Sequence, residues 1–256
     1  MAHPIALWSD GPPPVTLCRV LDHHVKNKTM KSPAVSVPFM LLGIAFCVCL
    51  IAANLLETKI IQVGSLTITA GFLIFPVSYI INDCIAEVWG FRRARLIIWT
   101  GFAMNFLTLL LFQAAVALPA APFWPGEAAF RFVFGLAPRI AAASLLAFLA
   151  GAFLNAYIMS RMKRVSRGRH FSARALLSTL AGESADSLIF FPCAFGGLVP
   201  AGELVKLMII QIAAKTLYEV VALPLTIRVV AALKRVERCD VYDDSISYSI
   251  FRLREL

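Results

Sequence analysis

The chain has 256 residues, of which 59% are hydrophobic and 15% charged, against about 45–50% apolar and about 25% charged in ordinary soluble domains. Mean hydropathy is +0.78, and 24 basic against 15 acidic residues leave a net charge of +9. These figures exclude a disordered chain, a collagen-like repeat and a disulfide scaffold, and they point to an integral membrane protein.

Residues 1–36 contain Pro4, Pro12, Pro13, Pro14 and Pro33 and no continuous apolar run. This predicts a retained, disordered tail rather than a signal peptide. A spanning helix needs about 20 mostly apolar residues. Six segments meet that requirement: Val37–Leu56, Ile68–Ala86, Leu96–Leu118, Ala137–Met159, Ala173–Gly197 and Leu204–Leu233. The second contains Pro76, which a membrane helix tolerates when neighbouring groups satisfy the freed backbone. Long apolar runs, rather than alternating segments of about ten residues, argue against a membrane barrel. Residues 237–256 read as a short polar tail. The predicted fold is an all-α integral membrane protein, a compact bundle of six transmembrane helices over residues 37–236.

The basic residues orient this bundle. The N-terminal tail carries Arg19, Lys26, Lys28 and Lys31, and the link after the second span carries Arg92, Arg93 and Arg95. Arg161, Lys163, Arg164, Arg167, Arg169 and Arg174 follow the fourth span, and Lys234, Arg235, Arg238, Arg252 and Arg254 follow the sixth. Eighteen basic residues thus share one side, against Lys59, Arg131 and Lys206 on the other. Positive charge marks the cytoplasmic face, so both termini are expected there, in a cell inner membrane. The basic excess therefore needs the bilayer as its partner and no nucleic acid. The sequence leaves oligomeric state open, a homo-oligomer included.

Catalysis and metal binding find little support. All four histidines (His3, His23, His24, His170) fall outside the spans, which removes a Ser–His pair or a His-based metal site from the interior. The six cysteines form no C-x-x-C pair and read as small apolar side chains. No enzyme activity, metal or cofactor is expected.

Ionisable groups inside the spans are the informative feature, since each costs roughly 2.5–3.5 kcal/mol at a helix centre. Glu183 and Asp186 share one face of the fifth span, and Gln211, Lys215 and Glu219 recur at i, i+4, i+8 on the sixth. Lys215 and Glu219 are accordingly expected to pair. Arg139 lies toward the outer end of the fourth span, Asn54 and Glu57 toward the outer end of the first. Asp83 and Glu87 share a face near the inner end of the second. Asn105, Asn155 and Ser144 read as interhelical hydrogen-bonding groups, and Ala143, Ala147 and Gly151 as a small-residue packing face. The set of charges describes a polar cavity near the midplane, where secondary transporters bind their substrates.

Several stretches carry a family resemblance: Ala53-Asn54-Leu55-Leu56-Glu57-Thr58-Lys59, Phe75-Pro76 through Tyr79 to Asn82-Asp83, Pro138-Arg139-Ile140-Ala141, Gly182-Glu183-Ser184-Ala185-Asp186-Ser187, and Lys215. In order and in layout over roughly residues 40–236 the chain resembles the queuosine precursor transporter family, earlier labelled as vitamin uptake transporters. That resemblance implies a six-helix membrane bundle that takes up 7-deazaguanine bases for salvage into tRNA queuosine. Substrate-binding residues are then expected among Asp186, Lys215, Glu183, Arg139, Asp83 and Asn54, supported by Glu219, Gln211, Glu57 and Glu87. A carboxylate accepts the paired N–H groups on one edge of a deazaguanine, and a cation donates to its carbonyl. Phe75, Tyr79, Phe190 and Tyr218 are the candidate stacking rings. The alternative reading is the substrate-binding membrane subunit of an energy-coupled vitamin importer, which would dock an ATPase module through small-residue faces such as that of the fourth span.

Overall fold

Ser36 opens the first helix by accepting the Phe39 N–H at 3.4 Å, with Pro38 in the first turn where no amide donor is needed. The computed structural model describes residues 35–63, 66–135, 138–197, 200–244 and 246–250. The tail expected before Ser36 lies outside the described residues apart from Val35. Helix α1 (Val37–Leu56) is followed by an antiparallel hairpin, β1 (Ile60–Val63) and β2 (Leu66–Thr69), and a single 3-10 turn over Ala70–Leu73. Then come α2 (Phe75–Ala117), a short α3 (Glu127–Phe134), α4 (Pro138–Val165), α5 (Phe171–Phe195) and α6 (Ala201–Glu237).

The hairpin corrects the sequence reading, which starts the second span at Ile68. Ile60, Ile61, Val63, Thr67, Ile68 and Thr69 are β-branched and suit a paired strand better than a helix start. Pro76, read as internal, instead sits in the first turn of α2.

Among the described residues, four helical stretches are long and apolar enough to cross a membrane: Val37–Leu56, Ala70–Ala117, Ala141–Val165 and Ala201–Glu237. Glu183, Asp186 and several hydroxyl residues make α5 less apolar than these. The surface has the inverted pattern of a protein solvated by lipid. Leu41, Ile44 and Val48 on α1, and Leu217, Val221 and Leu225 on α6, point outward, while Asp83, Glu183 and Lys215 are buried.

Gly90 divides α2. Its φ of 81° and ψ of 174° are not helical, and the contacts on either side show that the chain reverses there. Before Gly90, Tyr79, Asn82 and Glu87 meet Gly151, Asn155 and Lys163 of α4 in rising order. After it, Ile97, Gly101 and Asn105 meet Gly43, Phe46 and Asn54 of α1. Each half is therefore packed on a different neighbour. A Cβ at Gly90 would lie 2.7 Å from Asp243 Oδ1 and 2.9 Å from a Val241 methyl, so glycine is required for space as well as for φ.

Asp243 belongs to a C-terminal strap, residues 238–244 and 246–250, that repairs this break. Its carboxylate accepts the Phe91 N–H at 2.9 Å and the Ser160 hydroxyl, capping the second half of α2 from a distant part of the chain. The Val241 N–H donates to the Val88 carbonyl at 3.2 Å, while Arg95 and Trp99 donate to the carbonyls of Ser249 and Ile250 at 2.7 and 2.9 Å. Beside the strap lies an ion-pair knot built around the buried Glu87. Glu87 takes two bonds from Arg174, at 2.5 and 3.2 Å, and one from Lys234 at 2.6 Å. Lys163 donates to the Glu87 carbonyl and to Asp240, and Lys234 also reaches Asp240 at 2.9 Å. Three cations thus face two carboxylates, each group with several partners, the condition under which a desolvated ionic cluster is tolerated.

Burial alone would raise the Asp240 carboxyl, but the ammonium groups of Lys163 and Lys234 outweigh it and hold the carboxyl below its ordinary value. A carboxylate depressed in the folded state stabilises above its unfolded pKa, about 3.9, and loses that contribution as pH falls through the lower folded value. Amide exchange in residues 241–250, corrected for intrinsic rates, is therefore expected to be flat from pH 7 to 5 and to accelerate below about pH 4. Asp240→Asn should show the faster exchange already at pH 7. Opening that begins near neutral pH, or an Asp240→Asn strap as protected as the wild type, would contradict this role.

Candidate functional site

Lys215 is the centre of the site. Its position on α6 faces α5, whose Glu183 and Asp186 are three residues apart on one face. The Lys215 ammonium lies 2.9 Å from Glu183 Oε2, 3.7 Å from Asp186 Oδ2 and 3.8 Å from the centre of the Phe75 ring. A cation over an aromatic face and between two carboxylates is well compensated for burial. The two acids differ in access: the Glu183 side chain is 0% exposed and that of Asp186 12%. Glu183 holds Lys215 from behind, and Asp186 turns toward open space.

That space is a small cavity of about 40 Å³ lined by Asn54, Glu57, Phe75, Ser144, Asp186, Phe190, Phe191, Gln211 and Lys215. It lies toward the end of the bundle where α1 and α5 finish and α2, α4 and α6 begin, away from the knot around Glu87. A larger, mostly apolar crevice of about 70 Å³ adjoins it, shares Asn54, Glu57, Ser144 and Phe190, and continues past Asn105 to Phe112. Asn54 stands at the junction, donating to Asn105 at 2.8 Å and accepting from Ser144 at 3.2 Å. Gln211 Oε1 is buried without a hydrogen-bond partner, an acceptor left for a ligand.

The wall opposite α6 depends on close packing. A Cβ at Gly151 would come within 2.4 Å of the Tyr79 hydroxyl and 2.9 Å of the Gly182 carbonyl; one at Gly182 would meet the Gly151 carbonyl at 2.9 Å. Ala143 and Ala147 are also buried, so α4 and α5 cross at a small-residue face with Tyr79 packed into the crossing.

Several sequence expectations find different surroundings. Lys215 pairs with Glu183 and Asp186 across helices rather than with Glu219 on its own helix. Glu219 instead faces Asp83 and Thr179, one turn further along. Asp83 is fully buried and does not line the cavity. Arg139 is exposed and donates to the carbonyls of Cys193 and Gly196 at 2.5 and 2.7 Å. Those carbonyls lie at the C-terminal end of α5, where the helix leaves its last carbonyls without intrahelical partners. Glu87 is the core of the ion-pair knot, and Tyr218 packs edge-on against Phe72 at 5.8 Å. Phe191 and the knot partners Lys163, Arg174 and Lys234 are additions; the three cations register in the sequence only as positive-inside charge.

Helices carrying a charged, partly open cavity through an otherwise apolar bundle define a multi-pass membrane protein built around a small polar ligand. The chain matches the family described as "Putative vitamin uptake transporter" over residues 69–229, more than half its length, and belongs to that family. It is thus a transport protein and not an enzyme. It is 28% identical over 180 residues to the "Probable queuosine precursor transporter" of Bacillus subtilis (strain 168), covering 68% of this chain and 76% of that one. It is 30% identical over 127 residues to the "Queuosine precursor transporter" of Escherichia coli (strain K12), covering 50% of this chain and 55% of that one. No solved structure matches the chain.

Proposed function

We propose that the protein is an inner-membrane uptake transporter for queuosine precursors, passing 7-deazaguanine bases inward for salvage into tRNA. The supporting observation is the meeting of Asp186 and Lys215 with Phe75 and Phe190 around one cavity. Asp186 accepts the paired N–H edge of the planar base, Lys215 and Gln211 bracket its polar rim, and Phe190 offers a stacking face. The relatives' names favour the same substrate class. In this reading the chain crosses the membrane six times with both termini cytoplasmic, the two halves of α2 being separate spans. The cavity then faces the outer side, and the basic knot and strap lie at the cytoplasmic side, in keeping with the positive-inside distribution. The energy-coupled importer reading loses its docking surface, because Ala143, Ala147 and Gly151 are covered within the chain itself.

The test is complementation: the chain is expressed in cells unable to make the deazaguanine, each precursor (cyano base, aminomethyl base, queuine) is fed separately, and queuosine in tRNA is scored. Restoration with at least one precursor is expected. Failure with all three, from a well-expressed protein, would refute the proposal.

A further inference from the structure

One turn along the bundle from Lys215, on the side of the Glu87 knot, two acids meet with no base between them. Asp83 of α2 faces Glu219 of α6, with Asn155 of α4 and Thr179 of α5 beside them. Asp83 is fully buried and Glu219 nearly so. The polar groups beside the Asp83 carboxyl are the Asn155 amide and Glu219 itself, and neither Asp83 oxygen nor Glu219 Oε2 is held by a close, well-aligned hydrogen bond. Among the described residues no cation lies within ion-pair distance of either. The neighbouring cations are committed: Lys215 to Glu183 and Asp186, and Arg174, Lys163 and Lys234 to Glu87 and Asp240. Asn155 spends its Oδ1 on Asn82 and a donor on Thr179. Two carboxylates pressed together out of water repel strongly, and a single proton shared between them removes both the repulsion and the unpaired acceptors.

A second buried polar group lies beside this pair. The Tyr79 hydroxyl, buried and unpartnered, lies one turn from Asp83 on α2, within the electrostatic reach of Asp83, Glu183 and Asp186. Along the bundle axis the polar groups form three layers about 6 Å apart, the rise of one helical turn: Lys215 with Glu183 and Asp186, then Asp83 with Glu219, then the Glu87 knot. Cys84 and Glu87 are the remaining titratable groups on α2 near Asp83.

We propose that Asp83 and Glu219 form a proton-binding site and that uptake is coupled to inward movement of the proton they share, with the Tyr79 hydroxyl linking it to the substrate cavity. Lys215 and Glu219 stand one turn apart on α6, so any shift of that helix on substrate release also moves Glu219 against Asp83. The proposal rests on the transport reading above.

Purified protein in liposomes, with the membrane potential clamped by potassium and valinomycin, separates the two. Exchange of labelled 7-deazaguanine base against unlabelled base inside the vesicles needs no driving force and reports transport alone. An outside-acid gradient of one pH unit should then drive about tenfold accumulation if one proton moves per base. Glu219→Gln and Asp83→Asn should each exchange base yet lose gradient-driven accumulation. Wild-type exchange without a gradient response overturns proton coupling, and a gradient response kept by both variants overturns the assignment of the site to Asp83 and Glu219; either result leaves the transport reading standing. Absence of wild-type exchange overturns both. Should neither variant reconstitute, the wild-type gradient response decides.

Discussion

Replacing Lys215 by methionine is expected to destabilise the folded chain by about 3–5 kcal/mol, the cost of stranding a buried charge. Glu183 is 0% exposed and has the Lys215 ammonium 2.9 Å away; without it the carboxylate has neither water nor a counter-charge. Asp186 suffers less, because its 12% exposure opens on the cavity. The two candidate partners predict different rescues. If Lys215 pairs across helices, adding Glu183→Gln to Lys215→Met should recover most of the loss, because the charge and its partner leave together. Adding Glu219→Gln should recover little, since Glu219 faces Asp83 rather than Lys215. Thermal unfolding of the three variants in detergent checks this. A Lys215→Met/Glu183→Gln protein as unstable as the single variant would refute the pairing.

Asp186→Asn is expected to fold and express normally while uptake falls at least about tenfold, a factor that roughly 1.4 kcal/mol already produces. The two halves of this prediction come from different neighbours. Folding is spared because Glu183 still compensates Lys215. Uptake is lost because asparagine keeps the size of aspartate but presents donors to the donor edge of the base and removes the charge that strengthens those bonds. A site built on such bonds discriminates sharply when one is left unmade. Phe190, one turn away and lining the same cavity, keeps its stacking face in the variant. Initial-rate uptake normalised to protein in the membrane measures the effect. Wild-type rates would return Asp186 to a purely structural role beside Lys215.

Much of the candidate site is legible in the amino-acid sequence, and the reason is energetic. A charged residue in a membrane span is costly enough that its presence alone is a signal, so Glu183, Asp186, Lys215 and Gln211 stand out without knowledge of their contacts. Asn105 and Ser144 can be read as interhelical polar groups on the same ground, and both bond to Asn54 across helices. Partner choice is not legible. The i, i+4 spacing of Lys215 and Glu219 is a property of one helix, whereas the ammonium is long enough to cross to α5. Arg139 is legible as a charge toward the outer end of the fourth span, but not as the group that meets the carbonyls of Cys193 and Gly196 at the end of α5.

Residue order and composition suffice to establish a helical membrane protein, the places of its apolar segments, the family it resembles and the buried charges that call for explanation. These follow from local quantities, the hydropathy of about twenty consecutive residues and the cost of single groups in lipid. The packed helices were needed to establish that residues 60–69 form a hairpin, that the chain turns back at Gly90, that Asp243 caps the break from the far end of the sequence, and that Asp83 meets Glu219 apart from the cavity. Each of these joins residues on different helices or distant segments, and nothing in a one-dimensional pattern fixes the rotation and depth of one helix against the next. That relation is set by close contacts such as Gly151 on Gly182 and Gly43 on Ile97, where the fit of individual side chains decides which polar groups come face to face.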